Sequence, residues 1–188
     1  MKTLRVAGTL ALVMLGVTAS SVVAQDEQGK TEAAKLASES QAALQKLVAT
    51  VPLAQELTKT AVGVLVFPSI TKAGLGIGGQ YGEGTLLKKG TAVAYYKTTG
   101  ASFGLQAGGQ KYGYAMFFTS DEALNQLDNA NGFEVGVGPS VVVVDEGMGK
   151  STTTTTLKDD VYAFIFGQKG LMAGLGIQGN KITKITPK

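Results

Sequence analysis

The sequence predicts an α+β fold. A glycine-rich, mostly antiparallel sheet of about nine or ten strands, barrel-like or sandwich in arrangement, is joined by N-terminal helices and one short inserted helix. Three observations lead there. Short β-branched and aromatic runs recur from Val62 to Ile185, separated by Gly-containing turns. Helical spacing of apolar residues is confined to the segment before Ala61 and a short stretch after Thr119. The 26 glycines concentrate in the strand-rich part, and a strongly twisted sheet of that many strands tends to curl.

The chain opens as a targeting segment. Lys2 and Arg5 make a positive start, Val6 to Val17 a short apolar run, and Val22-Val23-Ala24 place small residues ahead of a cut before Gln25. An apolar core of about 12 residues falls short of the roughly 20 that span a bilayer. The expected division is a cleaved signal peptide at 1–24, a helical segment at 25–52 and the main domain at 53–188, with a periplasmic or secreted location and no transmembrane helix in the mature chain. Loss of the leader lowers the net charge from +3 to +1 and removes Arg5, the sole arginine. Bidentate capture of phosphate or guanine is then unavailable, which argues against nucleic acid as a partner. With no cysteine and no histidine, disulfides, thiol chemistry and the commonest general base are also excluded.

Gln25 to Gly29 is polar and reads as a mobile start to the mature chain. From Lys30 to Thr50, Ala33, Leu36, Ala37, Leu44, Leu47 and Val48 recur at helical spacing, and Val51 continues the stripe. Pro52 suits the first position of a second helix to Thr60. That apolar stripe predicts packing on the sheet. Lys30, Lys35, Lys46 and Lys59 offer the outer face a second role at a membrane surface, diluted by Glu32, Glu39 and Glu56.

The segment Ala61 to Leu87 organises the rest. Val62, Val64 and Val66 with Leu65 and Phe67 read as a buried strand, stopped by Pro68 and Ser69. In the strand that follows, Gly74, Gly76 and Gly78 share one face and Leu75 and Ile77 the other. Such a bare face is kept where a helix, a neighbouring sheet or a ligand comes close. The device returns as Ala173-Gly174-Leu175-Gly176-Ile177, with Gly179 matching Gly79.

Lys88-Lys89-Gly90 makes a turn into the strand Thr91–Thr98, Thr99-Gly100 another into Ala101–Gln110, and Tyr112–Phe118 follows. Thr119 and Glu122 fit a capping box, with Leu124 and Leu127 facing inward and Asn131-Gly132 as the stop. Phe133–Val144 ends in a valine run expected to be buried on both faces. A polar loop from Gly147 leads into a threonine-rich strand, and Val161–Phe166, Leu171–Ile177 and Lys181–Ile185 complete the sheet.

Few motifs carry chemistry. Gly74 to Gly79 satisfies G-x-G-x-x-G, but Pro68 to Lys72 separate it from the preceding strand and no helix signal follows, so no nucleotide is expected. Gly149-Lys150-Ser151 lacks the first glycine of a phosphate-binding loop, Val144 standing in its place. Asp145-Glu146 and Asp159-Asp160 bracket one loop and offer oxygen ligands to a cation, without EF-hand spacing; solvated loop charges are the simpler reading, and no metal or other cofactor is assigned. No G-x-S-x-G elbow is present, and no histidine exists to activate a serine, so the chain is not expected to be an enzyme.

The runs GVLVFPSITKAGLGIGGQYGEGTLL, Gly104-Leu105-Gln106-Ala107-Gly108 and Lys169-Gly170-Leu171-Met172-Ala173-Gly174 resemble the SYLF domain family, which includes lipid-binding modules and a fungal actin-patch protein. The resemblance spans roughly Leu53 to Ile185. It implies a module that binds anionic phospholipids at a membrane surface; together with the leader, this makes the expected protein an exported lipid-binding module. Lys72, Lys88 and Lys89, flanking Gly74, Gly76 and Gly78, are the candidate lipid-binding residues; they form one patch only if the strand bends near Gly82-Glu83-Gly84. The alternative is a structural or protein-interaction protein of the cell envelope, with an envelope protein as partner. The leader is directly testable: intact-mass measurement on protein from an exporting host should show a chain beginning at Gln25, and retention of residues 1–24 would refute it.

Overall fold

Helix propensity holds the N-terminal segment together as one long helix, α1 (Thr18–Thr50), followed by α2 (Pro52–Thr60). A computed structural model describes residues 18–128, 132–134, 141–144, 159–170 and 180–187. α1 begins earlier than expected and runs through Gln25–Gly29, where Gln25, Glu27 and Gln28 favour helix against Asp26 and Gly29. Pro52 opens α2 as predicted, because its missing N–H is one that the first turn leaves unpaired anyway. Leu47, Val51, Leu53, Ala54 and Leu57 are buried together against Val64, Val66, Ala115, Phe117, Tyr162 and Phe164 of the sheet. No helix among the described residues is long and apolar enough to cross a membrane.

Two strands dominate the sheet. β1 (Gly63–Lys88) and β2 (Thr91–Phe118) pair antiparallel along their whole length around Lys89-Gly90. Both turn residues take positive φ, 50° and 78°, as the tightest hairpin connection requires. The other edge of β2 carries β5 (Val161–Gly170) against residues 110–118 and β6 (Lys181–Ile185) against 95–99. β3 (Phe133–Glu134) joins β6, and β4 (Val141–Val144) runs parallel to β5 at the end of the sheet. The sheet is thus mixed and mostly antiparallel.

Six strands occur among the described residues, and within β1 and β2 the predicted breaks are bridged. Pro68-Ser69 does not stop β1. Phe67 pairs with Tyr114 and Ile70 with Tyr112, so the two residues bulge outward against Gly113 alone. A bulge is where a strand tolerates proline, and the extra residue resets the alternation, so Phe67 and Ile70 both point inward. Thr99-Gly100 makes no turn either; both residues lie in the β1 pairing, opposite Tyr81 and Gln80. The inserted helix α3 (Asp121–Asn125) is capped by Ser120, whose Oγ accepts from the Ala123 N–H at 3.2 Å, rather than by Thr119. Thr119 Oγ1 instead donates to the Asp159 carbonyl at 3.0 Å. α3 passes into a 3-10 turn, Gln126–Asp128, with Leu124 and Leu127 buried as expected. Val143 of β4 is 39% exposed, which corrects the two-faced burial expected of the valine run: an edge strand has one covered face. The threonine-rich strand and the second glycine repeat lie outside the described residues.

β1 folds over on itself. A Cβ on Gly84 would lie 2.5 Å from the Val66 carbonyl oxygen, and one on Gly82 would lie 3.0 Å from that of Ser69. The crease falls where the pairing slips between Leu75 and Ile77, and there a Cβ on Gly74 would meet the Gly78 Cα at 2.3 Å. The curled sheet encloses Leu65, Phe67, Leu86, Tyr114, Met116, Phe118, Ala163 and Ile165, with α3 and the 3-10 turn over one end. Across the seam, Ser40 of α1 donates to the Val66 carbonyl (3.3 Å) and to Thr85 Oγ1 (3.1 Å).

The bare face expected at Gly74, Gly76 and Gly78 falls at the crease, where Gly74 meets Gly78; the close packing along the rest of β1 is instead at Gly82 and Gly84, and its partner is the first half of the same strand. Gly84→Ala should destabilise by roughly 1–3 kcal/mol through overpacking against backbone. Gly79→Ala, where the nearest atom to a new Cβ is 3.9 Å away, should be within about 0.5 kcal/mol of the parent. Urea melts of the two variants check this, and equal midpoints would show that the seam opens freely.

Candidate functional site

The fold separates the predicted lysines. Lys72 is only 4% exposed and lies on the inward face of β1, two residues beyond Ile70 and opposite Gln110. Lys88 and Lys89 are exposed at the tip of the β1–β2 hairpin. The crease brings Gly82 and Gly84 back to Ser69 and Val66, and Leu86 back to Gly63. Lys88 therefore lies towards the beginning of β1, whereas Lys72 sits near the crease. The bend falls at Leu75–Ile77, not near Gly82-Glu83-Gly84, and the three lysines do not share one surface. Gly74, Gly76 and Gly78 mark the crease itself.

The other motifs take structural places. Gly74 to Gly79 runs inside β1, with no helix following to receive a phosphate. The Asp160 carbonyl accepts the Thr119 N–H at 3.0 Å, and Tyr162 donates its hydroxyl to Asp159 Oδ2 at 3.4 Å. Asp145, Glu146 and the Gly149-Lys150-Ser151 run lie outside the described residues, among which no group of three metal-ligating side chains occurs. Asp128 accepts both the Lys184 ammonium (2.9 Å) and the Tyr96 hydroxyl (3.0 Å), tying the 3-10 turn to β6 and β2. The lysine holds that carboxyl below its usual range, so the bond contributes stability at neutral pH that is lost as pH falls through the lowered value.

What the structure does gather is a different set of cations. A groove of about 500 Å³ runs between α1 and the outer face of the sheet. Its rim carries Lys46 from α1, Lys111 from β2 and Lys169 from β5, and Pro68, Gly113 and Phe166 line it between them. Lys111 and Lys169 are direct cross-strand partners. Like charges placed opposite one another are unfavourable, so the pair is a local concentration of positive charge that the strand register enforces. Glu39 is the one carboxylate among the lining residues. Phe166 fits because Gly113 has no side chain; a Cβ there would be 2.3 Å from the ring.

The same outer face continues to the crease, where Leu75 is 83% and Ile77 68% exposed. Leu75 pairs with Ala107, four residues along β2 from Lys111, a separation of roughly 13 Å at strand rise. Apolar tips and lysines thus share one end of the outer face. A second groove, of about 590 Å³, lies nearby and is lined by Lys35 and Lys97 but also by Glu32, Glu39 and Glu83. Tyr81 donates to Glu83 there, and the carboxylate pushes its hydroxyl up to about 12. The mixed signs make this groove the poorer anion site.

Sequence reasoning missed the Lys46–Lys111–Lys169 cluster because its members come from three elements, and nothing local marks them as neighbours. The available signal was weak: Lys169 lies in a block shared with the SYLF resemblance, and Lys111 stands just before the aromatic strand.

No curated protein matches the chain. Residues 99–186 match the family model described as Ysc84, Las17-binding protein actin regulator. The matched span starts within β2 and runs through β6, so it contains Lys111 and Lys169, while β1 and α1 precede it. Through residues 99–186 the chain is similar to the Ysc84, or SYLF, domain family.

Proposed function

We propose that this protein is an exported lipid-binding module that associates weakly and reversibly with anionic phospholipid membranes. Residues 1–24 act as its leader, and 53–188 form the binding domain. The observation that carries the reading is the placement of Lys111 and Lys169 in register on the outer face that also exposes Leu75 and Ile77. The family match over residues 99–186 supports it through the lipid-binding modules that the SYLF resemblance implies.

The magnitudes suit a reversible contact. Each lysine near an anionic surface contributes on the order of 1 kcal/mol. Burying Leu75 and Ile77 among acyl chains adds at most roughly 1.5–3 kcal/mol each. Neither set suffices alone after the cost of immobilisation, so binding needs both. With a net charge of +1 after loss of the leader, attraction comes from the local cluster and not from the molecule as a whole. Lys72 is buried and takes no part in this surface, while Lys88 and Lys89 belong to the hairpin tip.

A second reading rests on the family description, which names a protein-binding activity for its members. In that reading the exposed Leu75 and Ile77 contact an envelope protein.

Liposome co-sedimentation distinguishes the two. The parent should pellet with acidic vesicles, release as salt rises and bind neutral vesicles poorly. Lys46/Lys111/Lys169→Ala should weaken binding by about 100-fold, on the arithmetic of three lysines. Leu75→Ser with Ile77→Ser should weaken it by a comparable factor, whereas Lys88/Lys89→Ala should have little effect. Equal pelleting with neutral and acidic vesicles would refute the charged-groove assignment, and no pelleting at all would favour the protein-partner reading.

A further inference from the structure

The cationic groove between α1 and the outer face of the sheet contains one group that its lysines leave unexplained. Glu39, the sole carboxylate among its lining residues, has no side-chain hydrogen bond or ion pair among the described residues, and neither has Lys46, Lys111 or Lys169. Opposite charges that line one groove without pairing are held apart by the elements that carry them. Both signs therefore remain open to a ligand.

Their placement follows from helix docking and strand register. Ser40 of α1 bonds to the Val66 carbonyl and to Thr85, which docks the helix just ahead of the Pro68-Ser69 bulge. Glu39, the residue before it, lines the groove together with Pro68 and Ser69. Lys111 pairs with Thr71, two residues past Ser69, so the Lys111–Lys169 pair stands roughly 7 Å further along the sheet. Lys46 lies two helical turns from Glu39 on the same stripe of α1, roughly 10 Å away. The groove thus offers a cationic pair and a carboxylate within the span of one small headgroup.

We propose that this groove takes the headgroup of a phospholipid bearing a primary ammonium, of the phosphoethanolamine type, with its phosphate on Lys111 and Lys169 and its ammonium on Glu39. The proposal rests on the membrane reading above and adds a headgroup to it. The charge pattern separates the candidates. A phosphoglycerol headgroup gives Glu39 no positive partner, and a phosphate monoester brings a second negative charge to face it. Phosphocholine carries the positive charge, but its methyl groups leave no N–H to donate to the carboxylate. A primary ammonium supplies three such donors, and a carboxylate accepts charge-assisted bonds of that kind well. Lys46 is left for a neighbouring acidic lipid.

The test is co-sedimentation with vesicles that hold phosphatidylglycerol at a constant fraction and fill the remainder with either phosphatidylethanolamine or phosphatidylcholine. Net surface charge is the same in both, so the general attraction cancels. The parent should bind the ethanolamine mixture about three- to fivefold more tightly, the upper end being what one solvent-exposed ion pair yields. Glu39→Gln, at an exposed helical position, should erase that difference. Glu32→Gln, which alters only the neighbouring mixed-charge groove, should keep it in full. A parent that binds both mixtures equally overturns the headgroup assignment and leaves the membrane reading standing. A preference that survives in Glu39→Gln also overturns it, because ethanolamine would then be acting through lipid packing. A parent that pellets with neither mixture overturns both readings together.

Discussion

The structure depends on a backbone contact that only glycine permits. β1 has β2 on one side, and among the described residues nothing hydrogen-bonds its other edge as a strand. An exposed edge of 26 residues would be an open template for pairing with other chains. The chain removes that hazard by folding the edge against itself, the later half packed on the earlier with Gly82 and Gly84 in van der Waals range of Ser69, Val66 and Phe67. Ser40 then satisfies the Val66 carbonyl from above. This gives α1 a role beyond covering apolar surface: it closes the seam.

Curling divides the sheet into an inside and an outside that sequence alternation alone does not assign. Each bulge shifts the parity by one residue. The Pro68-Ser69 bulge keeps Ile70 inward and carries Lys72 inward with it, where an unbroken count from Phe67 would have sent both outward. A second slip, between Lys111 and Gly113 against Lys169 and Phe166, brings Lys111 and Lys169 opposite one another on the outer face. The two lysine environments, one buried and one solvated, both follow from single extra residues.

That explains what was legible beforehand. The dense run Val62–Phe67, the proline-initiated helix and the inward Leu124 and Leu127 were readable because each is decided within a few residues. The repeated glycines were readable as close approach, though not the identity of what approaches, since strand and partner are the same segment. Thr99-Gly100 resembled a turn because Gly breaks strands in isolation; in the folded chain Gly100 packs against Gln80 and Asn180, which leave no room for a side chain. The choice of Lys72 for a surface patch failed for the parity reason above, and Lys46, Lys111 and Lys169 stayed hidden because their convergence is a property of register and helix docking.

The two lysine environments also differ in what they ask of solvent. Lys111 and Lys169 face water, where repulsion between two unit charges a few ångströms apart is only about 1 kcal/mol. The strand register can hold such a pair at little loss, and its field is screened over about 8 Å at physiological salt. Its influence is therefore confined to whatever touches the groove. Lys72 stands at the same height of the sheet, its partner Gln110 next to Lys111, but on the inner face, where the residue is 4% exposed. What separates the two environments is therefore the sheet itself, through the parity that the Pro68-Ser69 bulge sets, and not distance along the strands.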